Sequence, residues 1–355
     1  MIVLLTGAAG FIGYHVAKAL LARGDTVVAV DNLNAYYDPQ LKYARLRDLG
    51  IVDSLLEGVY IGSHKYPNLR FIKLDCADQS AMTQLFAYEH FDAVCHLAAQ
   101  AGVMYGFKKP HNYIHDNITA FVNVLEGCRH HEVKKLVYAS SSSVYGASRR
   151  DAYAPQDACD HPVSLYAATK KSNELLAHCY SHNFGLAVTG LRFFTVYGPW
   201  GRPDMAPMLF LQNILAGKPI KVFNHGDMLR DFTYIDDIVL GCLKVLDATP
   251  VANNDWSWRD PKPNASSAPF RVYNIGNGTP IRLMDFIKTL ENVTGSQAIK
   301  QFEPMRVGEV YATCADMQDM MRDFSYKPYT SLEEGVEHLV AWYYDFYKVS
   351  ALDMA

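Results

Sequence analysis

The 355-residue chain carries 33 Lys and Arg against 37 Asp and Glu, a net charge of −4, and half of its residues are hydrophobic. Such a chain is an ordinary globular one and lacks the basic excess that a nucleic-acid partner requires. Its length suits two modest domains, or one large α/β domain with an appended lobe.

Residues 1–5 form an apolar run with no basic flank, too short for a signal peptide or a membrane span, and nothing later replaces it. With seven scattered cysteines that never form C-x-x-C, the expectation is a cytoplasmic, non-membrane protein with reduced thiols and no metal site. Residues 2–5 read as a strand buried on both faces. T-G-A-A-G-F-I-G follows, with Gly7, Gly10 and Gly13 spaced three apart. Phe11, Ile12, Val16, Ala17, Leu20 and Leu21 then recur at helical spacing until Gly24-Asp25 turns the chain. Residues 26–30 make a second strand that ends at Asp31. Strand, glycine turn, helix, strand and terminal acid together make a dinucleotide-binding unit. Small residues let the backbone approach a pyrophosphate, whose charge sits at the helix N-terminus. Asp31 can accept hydrogen bonds from an adenosine ribose and would repel a 2′-phosphate, so NAD is expected over NADP.

Residues 39–56 are expected to contain a helix, 70–74 a third strand closing on Asp75, and 91–96 a fourth followed by L-A-A-Q-A-G-V. Asp75 stands where a carboxylate could meet the adenine amino group, and His96 is read as a packed or capping histidine. One long helix is predicted over 111–131. The fifth strand, 135–139, delivers Ser140 to Ser143 at its carboxyl end, where ligands bind in open parallel sheets. If 164–182 is helical, Tyr166 and Lys170 lie one turn apart on one face. An ammonium so placed lowers a tyrosine from its usual value of about 10, and such a tyrosine can trade a proton with a substrate hydroxyl.

A strand at 186–192 leads into F-F-T-V-Y-G-P-W-G-R-P-D-M, after which regular alternation breaks down. Segments 208–215, 220–223, 234–246 and 271–276 read as a smaller lobe woven back onto the first. Residues 251–269 read as a surface loop with Trp256 and Trp258 as anchors, and 283–293 and 331–347 as amphipathic helices. The expected class is α/β: a Rossmann-like doubly wound parallel sheet over 1–195, with 231–248 and 271–276 packing back onto it, and a substrate-binding lobe over 196–355.

The sequence resembles the extended short-chain dehydrogenases/reductases, and within them the UDP-glucuronate 4-epimerase branch, nearly end to end. T-G-A-A-G-F-I-G and S-L-Y-A-A-T-K-K mark the superfamily, the former in the G-x-x-G-x-x-G spacing of the extended members. D-N-L-N-A-Y-Y-D-P-Q-L-K and F-F-T-V-Y-G-P-W-G-R-P-D-M narrow it; H-L-A-A-Q-A-G-V, Y-A-S-S-S-S-V-Y-G and R-D-F-T-Y-I-D-D-I extend the match. The resemblance implies NAD-dependent interconversion of UDP-glucuronate and UDP-galacturonate through a 4-keto intermediate. It gives Tyr166, Lys170 and Ser141 catalytic roles. It assigns NAD to Gly7, Gly10, Phe11, Ile12, Gly13, Asp31, Asn32 and Lys42, to Asp75, Cys76, Leu97, Ala98, Ala99 and Asn117, and to Ser140, Tyr166, Lys170 and Phe193. Ser141, Ser142 and Thr195, with Arg202 nearby, are expected to fix the sugar carboxylate and Ser143 to stand in the substrate site; the family match gives the diphosphate to Arg230 and Arg306 and the uridine ribose to Glu309. A homodimer through helices near 111–131 and 164–182 is implied, and polysaccharide biosynthesis is a plausible use of the product.

Met104 departs from the pattern, because many relatives carry Arg there, and Gly106 stands where they have Ser. A UDP-glucose 4-epimerase therefore stays open. The 4,6-dehydratases need an Asp-Glu pair just after the position of Ser141, and UDP-glucuronate decarboxylases carry Glu at that of Ser143. Serines at both positions disfavour either elimination. A non-catalytic NAD sensor is disfavoured by the retained Tyr166 and Lys170.

Overall fold

In a computed structural model that describes residues 1–52, 54–305 and 310–348, the apolar runs join into one eight-stranded sheet. Its order is Phe270–Ile275, Val188–Phe193, Lys135–Ser141, Ala93–His96, Ile2–Thr6, Thr26–Asp31, Leu69–Lys73 and Tyr60–Gly62. Every pairing is parallel except the last, where Tyr60–Gly62 runs antiparallel to Leu69–Lys73. The chain builds outward from Ile2–Thr6 first to one side and then to the other, so the strand order reverses between Ile2–Thr6 and Ala93–His96. A crevice opens at such a reversal, outside the carboxyl ends of the strands.

Successive strand residues point to opposite faces. Val3 and Leu5 pack with Phe11, Val16, Ile235 and Ile238, and Leu4 packs on the other side with Phe86, Phe121 and Val124. Helices Phe11–Ala22 and Ile235–Asp247 thus cover one face, and Gln79–Tyr88, Ala120–His130 and Leu165–Phe184 the other. The second half of the chain builds three two-stranded sheets: Thr195–Tyr197 with Phe232–Tyr234, Ile220–Val222 with Lys300–Phe302, and Leu229–Arg230 with Ile281–Arg282. It also returns strand Phe270–Ile275 to the edge of the large sheet.

Three elements differ from the sequence expectation. The helix expected over 39–56 is only Gln40–Asp48, because Gly50 turns the chain at φ +78°. The helix expected over 111–131 is α at Pro110–Tyr113, π at Ile114–Thr119 and α again at Ala120–His130. A π segment rotates the side chains that follow it, and this one turns Asn117 inward. Its Oδ1 accepts from the Gln100 N–H at 2.8 Å, and its Nδ2 donates to the Gln100 carbonyl and the Thr169 hydroxyl, both at 3.0 Å. In the 251–269 loop, Trp258 is 74 % exposed and anchors nothing, whereas Trp256 lines a cavity beside Phe270.

The strands carrying Ser140 and Arg192 are fastened to helix Leu165–Phe184 by a buried ion pair. The Arg192 Nε and Nη2 donate to the two Glu174 oxygens at 2.8 and 2.9 Å, and the Ser140 hydroxyl adds a bond of 2.7 Å to Oε1. Burial alone would raise the Glu174 pKa, but Arg192 overrides it and holds the carboxyl below its ordinary value. Arg192→Met would strand that carboxylate in the interior. Denaturant unfolding should then read a loss of about 3–5 kcal/mol; a loss under ~1 kcal/mol would show that Glu174 is not left as an uncompensated buried charge.

Candidate active site

At the crevice the glycine turn brings backbone against backbone. Gly7 adopts φ +72°, and a Cβ there would lie 2.7 Å from the Ala98 nitrogen. A Cβ on Gly10 would lie 2.9 Å from the Gly7 carbonyl oxygen, and one on Gly13 would collide with the same oxygen. No side chain caps helix Phe11–Ala22 at Gly10, which leaves its first N–H groups open to an anion. Beside this cradle Asp31 is fixed by both oxygens, accepting from the Ala9 N–H at 3.1 Å and the Leu33 N–H at 2.8 Å, with the Lys42 Nζ 3.7 Å away. Lys42 also donates to Asn34, and Asn32 to Asp75 at 3.3 Å. A glycine-floored cradle with a fixed carboxylate at one end fits a pyrophosphate joined to a ribose, the central part of NAD.

One cavity of about 220 Å³ runs from this cradle to Tyr166 and Lys170. Its walls include the residues expected at the cofactor: Gly7, Gly10, Phe11, Ile12, Gly13, Asp31, Asn32, Lys42, Asp75, Cys76, Leu97, Ala98, Ala99, Ser140 and Phe193. Asn117 is absent from the wall and instead ties the Gln100 turn to Thr169 from behind. Asn34, Tyr36, Tyr37, Gln100 and Asp116 line the cavity without having been assigned a role. The first three lie in the D-N-L-N-A-Y-Y-D-P-Q-L-K motif, which was the available signal.

The Ser164 hydroxyl caps helix Leu165–Phe184 by accepting from the Ala167 N–H at 3.1 Å. This start points Tyr166 and Lys170 back at strand Lys135–Ser141. The buried Lys170 donates to the Ala139 carbonyl at 2.8 Å, and burial pulls its pKa down to about 8. Its ammonium lies 6.0 Å from the centre of the Tyr166 ring. The expected depression of Tyr166 by Lys170 does not appear. Burial raises the Tyr166 pKa, and the partial offsets come from a hydrogen bond with Ser141 and from the charge of Arg202. Lys170 spends its hydrogen bond on Ala139, whereas Ser141 and Arg202 act on the phenol directly.

The substrate residues are distributed less simply. Ser141 ends its strand and starts a tight turn at Ser142–Tyr145, where Ser141 bonds both the N–H and the hydroxyl of Ser143 at 3.2 Å. Arg202 lines the cavity and pairs with Asp204. Ser141, Ser142, Ser143, Thr195 and Arg230 are not among the lining residues. Arg230 lies on strand Leu229–Arg230 and donates to the Leu229 and Tyr311 carbonyls at 2.9 and 3.1 Å. Arg306 and Glu309 lie outside the described residues. His96 is a packing residue, bonded to the Thr6 hydroxyl at 2.8 Å and driven by burial to about 3. Met104 stands in the turn Met104–Phe107 and is 38 % exposed. Among the described residues no cluster of His, Cys, Asp and Glu could hold a metal ion, and all seven cysteines are free.

The sequence profile described as "NAD dependent epimerase/dehydratase family" matches residues 3–258. UDP-glucuronate 4-epimerase 2 of Arabidopsis thaliana is 45 % identical over 98 % of this chain and 76 % of its own. Protein CapI of Staphylococcus aureus is 46 % identical over 98 % of this chain and 100 % of its own. Among solved structures, UDP-glucuronic acid 4-epimerase from Bacillus cereus in complex with UDP-glucuronic acid and NAD superposes with a TM-score of 0.83. It is 32 % identical and covers 98 % of this chain and 100 % of that one.

Because the Ser141 hydrogen bond lowers the Tyr166 pKa, Ser141→Ala should raise it. In any turnover that uses Tyr166 as a base, the limb of the pH profile that rises with pH should move to higher pH. A limb that stays put, or moves down, would remove Ser141 from the control of Tyr166.

Proposed function

The chain belongs to the NAD dependent epimerase/dehydratase family, and we propose that it interconverts UDP-glucuronate and UDP-galacturonate by inverting the sugar at C4. The observation that carries this reading is one cleft joining a dinucleotide cradle to Tyr166 and Lys170, beside a serine run without a carboxylate. The relatives and the B. cereus structure support the uronate as substrate. NAD, when bound, would supply a hydride acceptor and donor for C4, and inversion requires that the two faces of the sugar be presented to it in turn.

The remaining work falls to side chains. Tyr166 takes the proton of the 4-hydroxyl and gives it back, and Ser141 hydrogen-bonds the same oxygen. Lys170, already oriented by the Ala139 carbonyl, serves the cofactor ribose. Gly7, Gly10 and Gly13 admit the pyrophosphate, Asp31 holds the adenosine ribose, and Asp75 meets the adenine. The 4-keto uronate is a β-keto acid that can lose carbon dioxide. Ser141, Ser142 and Thr195 hold its carboxylate out of line for that loss, with Ser143 and Arg202 close by. Arg230 and Arg306 grip the diphosphate through charge-assisted bonds, and Glu309 contacts the uridine ribose. Residues 1–195 thus serve mainly the cofactor and 196–355 mainly the UDP-sugar.

The active form is a homodimer built on helices Ala120–His130 and Leu165–Phe184, a reading supported by the exposure of Leu175 and Phe184 on the latter. No helix among the described residues is long and apolar enough to cross a membrane. We place the protein in the cytoplasm, supplying galacturonate for a polysaccharide.

Incubated separately with UDP-glucuronate and UDP-glucose, the protein should epimerise the uronate at least ~10-fold faster in kcat/KM, about the value of one differential charge contact. Equal rates, or a preference for glucose, would overturn the uronate reading. Thr195→Ala should release a larger share of UDP-4-keto-pentose, resolved by NMR of the product mixture. An unchanged product ratio and rate would take Thr195 out of carboxylate control.

A further inference from the structure

The two motifs that narrow the family lie far apart in sequence, and the fold joins them. The Tyr36 hydroxyl donates to Asp204 Oδ2 at 3.0 Å across 168 residues. The same carboxylate takes Arg202 Nε at 3.0 Å and Nη2 at 2.6 Å. The Arg202 guanidinium stands 5.6 Å from the centre of the Tyr36 ring, whose edge meets Tyr105 at 4.9 Å. Beneath the hydroxyl is Gly102 at φ +100°, where a Cβ would come within 2.5 Å of the Tyr36 oxygen. Arg45, fully buried, makes a second tie, donating to the Trp200 carbonyl at 2.6 Å and to the Ala9 carbonyl and Tyr37 hydroxyl, both at 2.8 Å.

Tyr36 and Arg202 both line the cavity that runs from the glycine cradle to Tyr166. Tyr36 follows strand Thr26–Asp31, which carries Asp31, and Asp204 follows strand Thr195–Tyr197. Their bond therefore bridges the cofactor side of the cleft to its sugar side. We propose that Tyr36 and Asp204 form a clasp that retains NAD in the cleft, a role that rests on NAD occupying this cavity. A reaction that takes its hydride back from the same cofactor has no need to release it between turnovers. The clasp supplies the closure by one charge-assisted hydrogen bond, steadied by the Arg202 pair and the Tyr105 edge. Neither residue touches the reacting atoms; both act as positioning residues for the walls of the cleft.

The test uses the intact protein loaded with NAD⁺ and follows exchange of bound for isotope-labelled NAD⁺ by rapid filtration. Tyr36→Phe keeps the ring beneath Arg202 and deletes only the hydroxyl. It should speed exchange about 3- to 10-fold, the value of one net hydrogen bond. Asp204→Ala should speed it at least as much, and the double variant should match Asp204→Ala alone, because both remove the same contact. A Tyr36→Phe rate equal to wild type, or effects that multiply in the double variant, overturns the clasp. If Asp204→Ala does not fold, judged by its thermal transition, the Tyr36→Phe rate decides alone. A wild-type protein that holds no NAD⁺ after loading and filtration overturns the cofactor reading together with the clasp. Ready uptake with equal exchange in wild type and Tyr36→Phe overturns the clasp only.

Discussion

Three successive residues of one strand hold three residues of one helix face, and the site depends on that register. The Ala139 carbonyl takes the Lys170 ammonium, the Ser140 hydroxyl reaches Glu174, and Ser141 acts to lower the pKa of Tyr166. Residues 166, 170 and 174 are four apart and share a face, so a slide of the helix by one turn would break all three contacts together. Arg192 prevents the slide. It is fully buried, and beyond Glu174 it bonds the Pro155 carbonyl at 3.1 Å and lies 4.8 Å over the Tyr145 ring. A charge pair withdrawn from water gives little net stability but strongly disfavours arrangements that would separate it. The spacing of Tyr166 and Lys170 against the strand is thus set by a contact behind the cleft.

The electrostatics within the cleft follow from the same packing. Burial acts on both Tyr166 and Lys170 in the direction of neutrality, lowering Lys170 to about 8 and raising Tyr166. With a value of about 8 Lys170 still keeps most of its charge at pH 7, whereas Tyr166 is neutral there. The opposing influences on Tyr166 are a hydroxyl and a guanidinium from two different strand ends. Tyr166, the proposed base, is therefore tuned by residues that are also proposed to stand beside the sugar carboxylate, which would join recognition of a uronate to readiness of the base.

Much of this was legible in the sequence, because it is local. Apolar runs of four to six residues marked the strands, the Gly7 to Gly13 spacing marked the turn, and the four-residue step from Tyr166 to Lys170 marked the shared helix face. What escaped depends on partners distant in the chain. The buried pair of Glu174 with Arg192 joins residues 18 apart on a helix and a neighbouring strand, which no local pattern announces. The π segment Ile114–Thr119 has no periodicity of its own and exists because Asn117 finds Gln100 and Thr169. Asn34, Tyr36 and Tyr37 were visible as a motif, yet nothing local says that Asp204 is the partner of Tyr36. Lys170 was placed correctly on the face of Tyr166, but its hydrogen bond to Ala139 depends on a neighbouring strand that spacing along one helix cannot report.

The edge strand Phe270–Ile275 has a consequence for the order in which the molecule is made. It pairs in parallel with Val188–Phe193, and its Asn274 accepts from the Tyr145 hydroxyl at 2.6 Å and donates to the Tyr153 carbonyl at 2.7 Å. A chain emerging from the ribosome completes the dinucleotide cradle early, but it leaves Val188–Phe193 as a bare parallel edge until residue 270 has been synthesised. Unpaired apolar edges recruit other chains, and parallel pairing over long separations is slow. Nascent chains stalled between these two strands are the species most exposed to aggregation, and the cell's chaperones would meet this protein there.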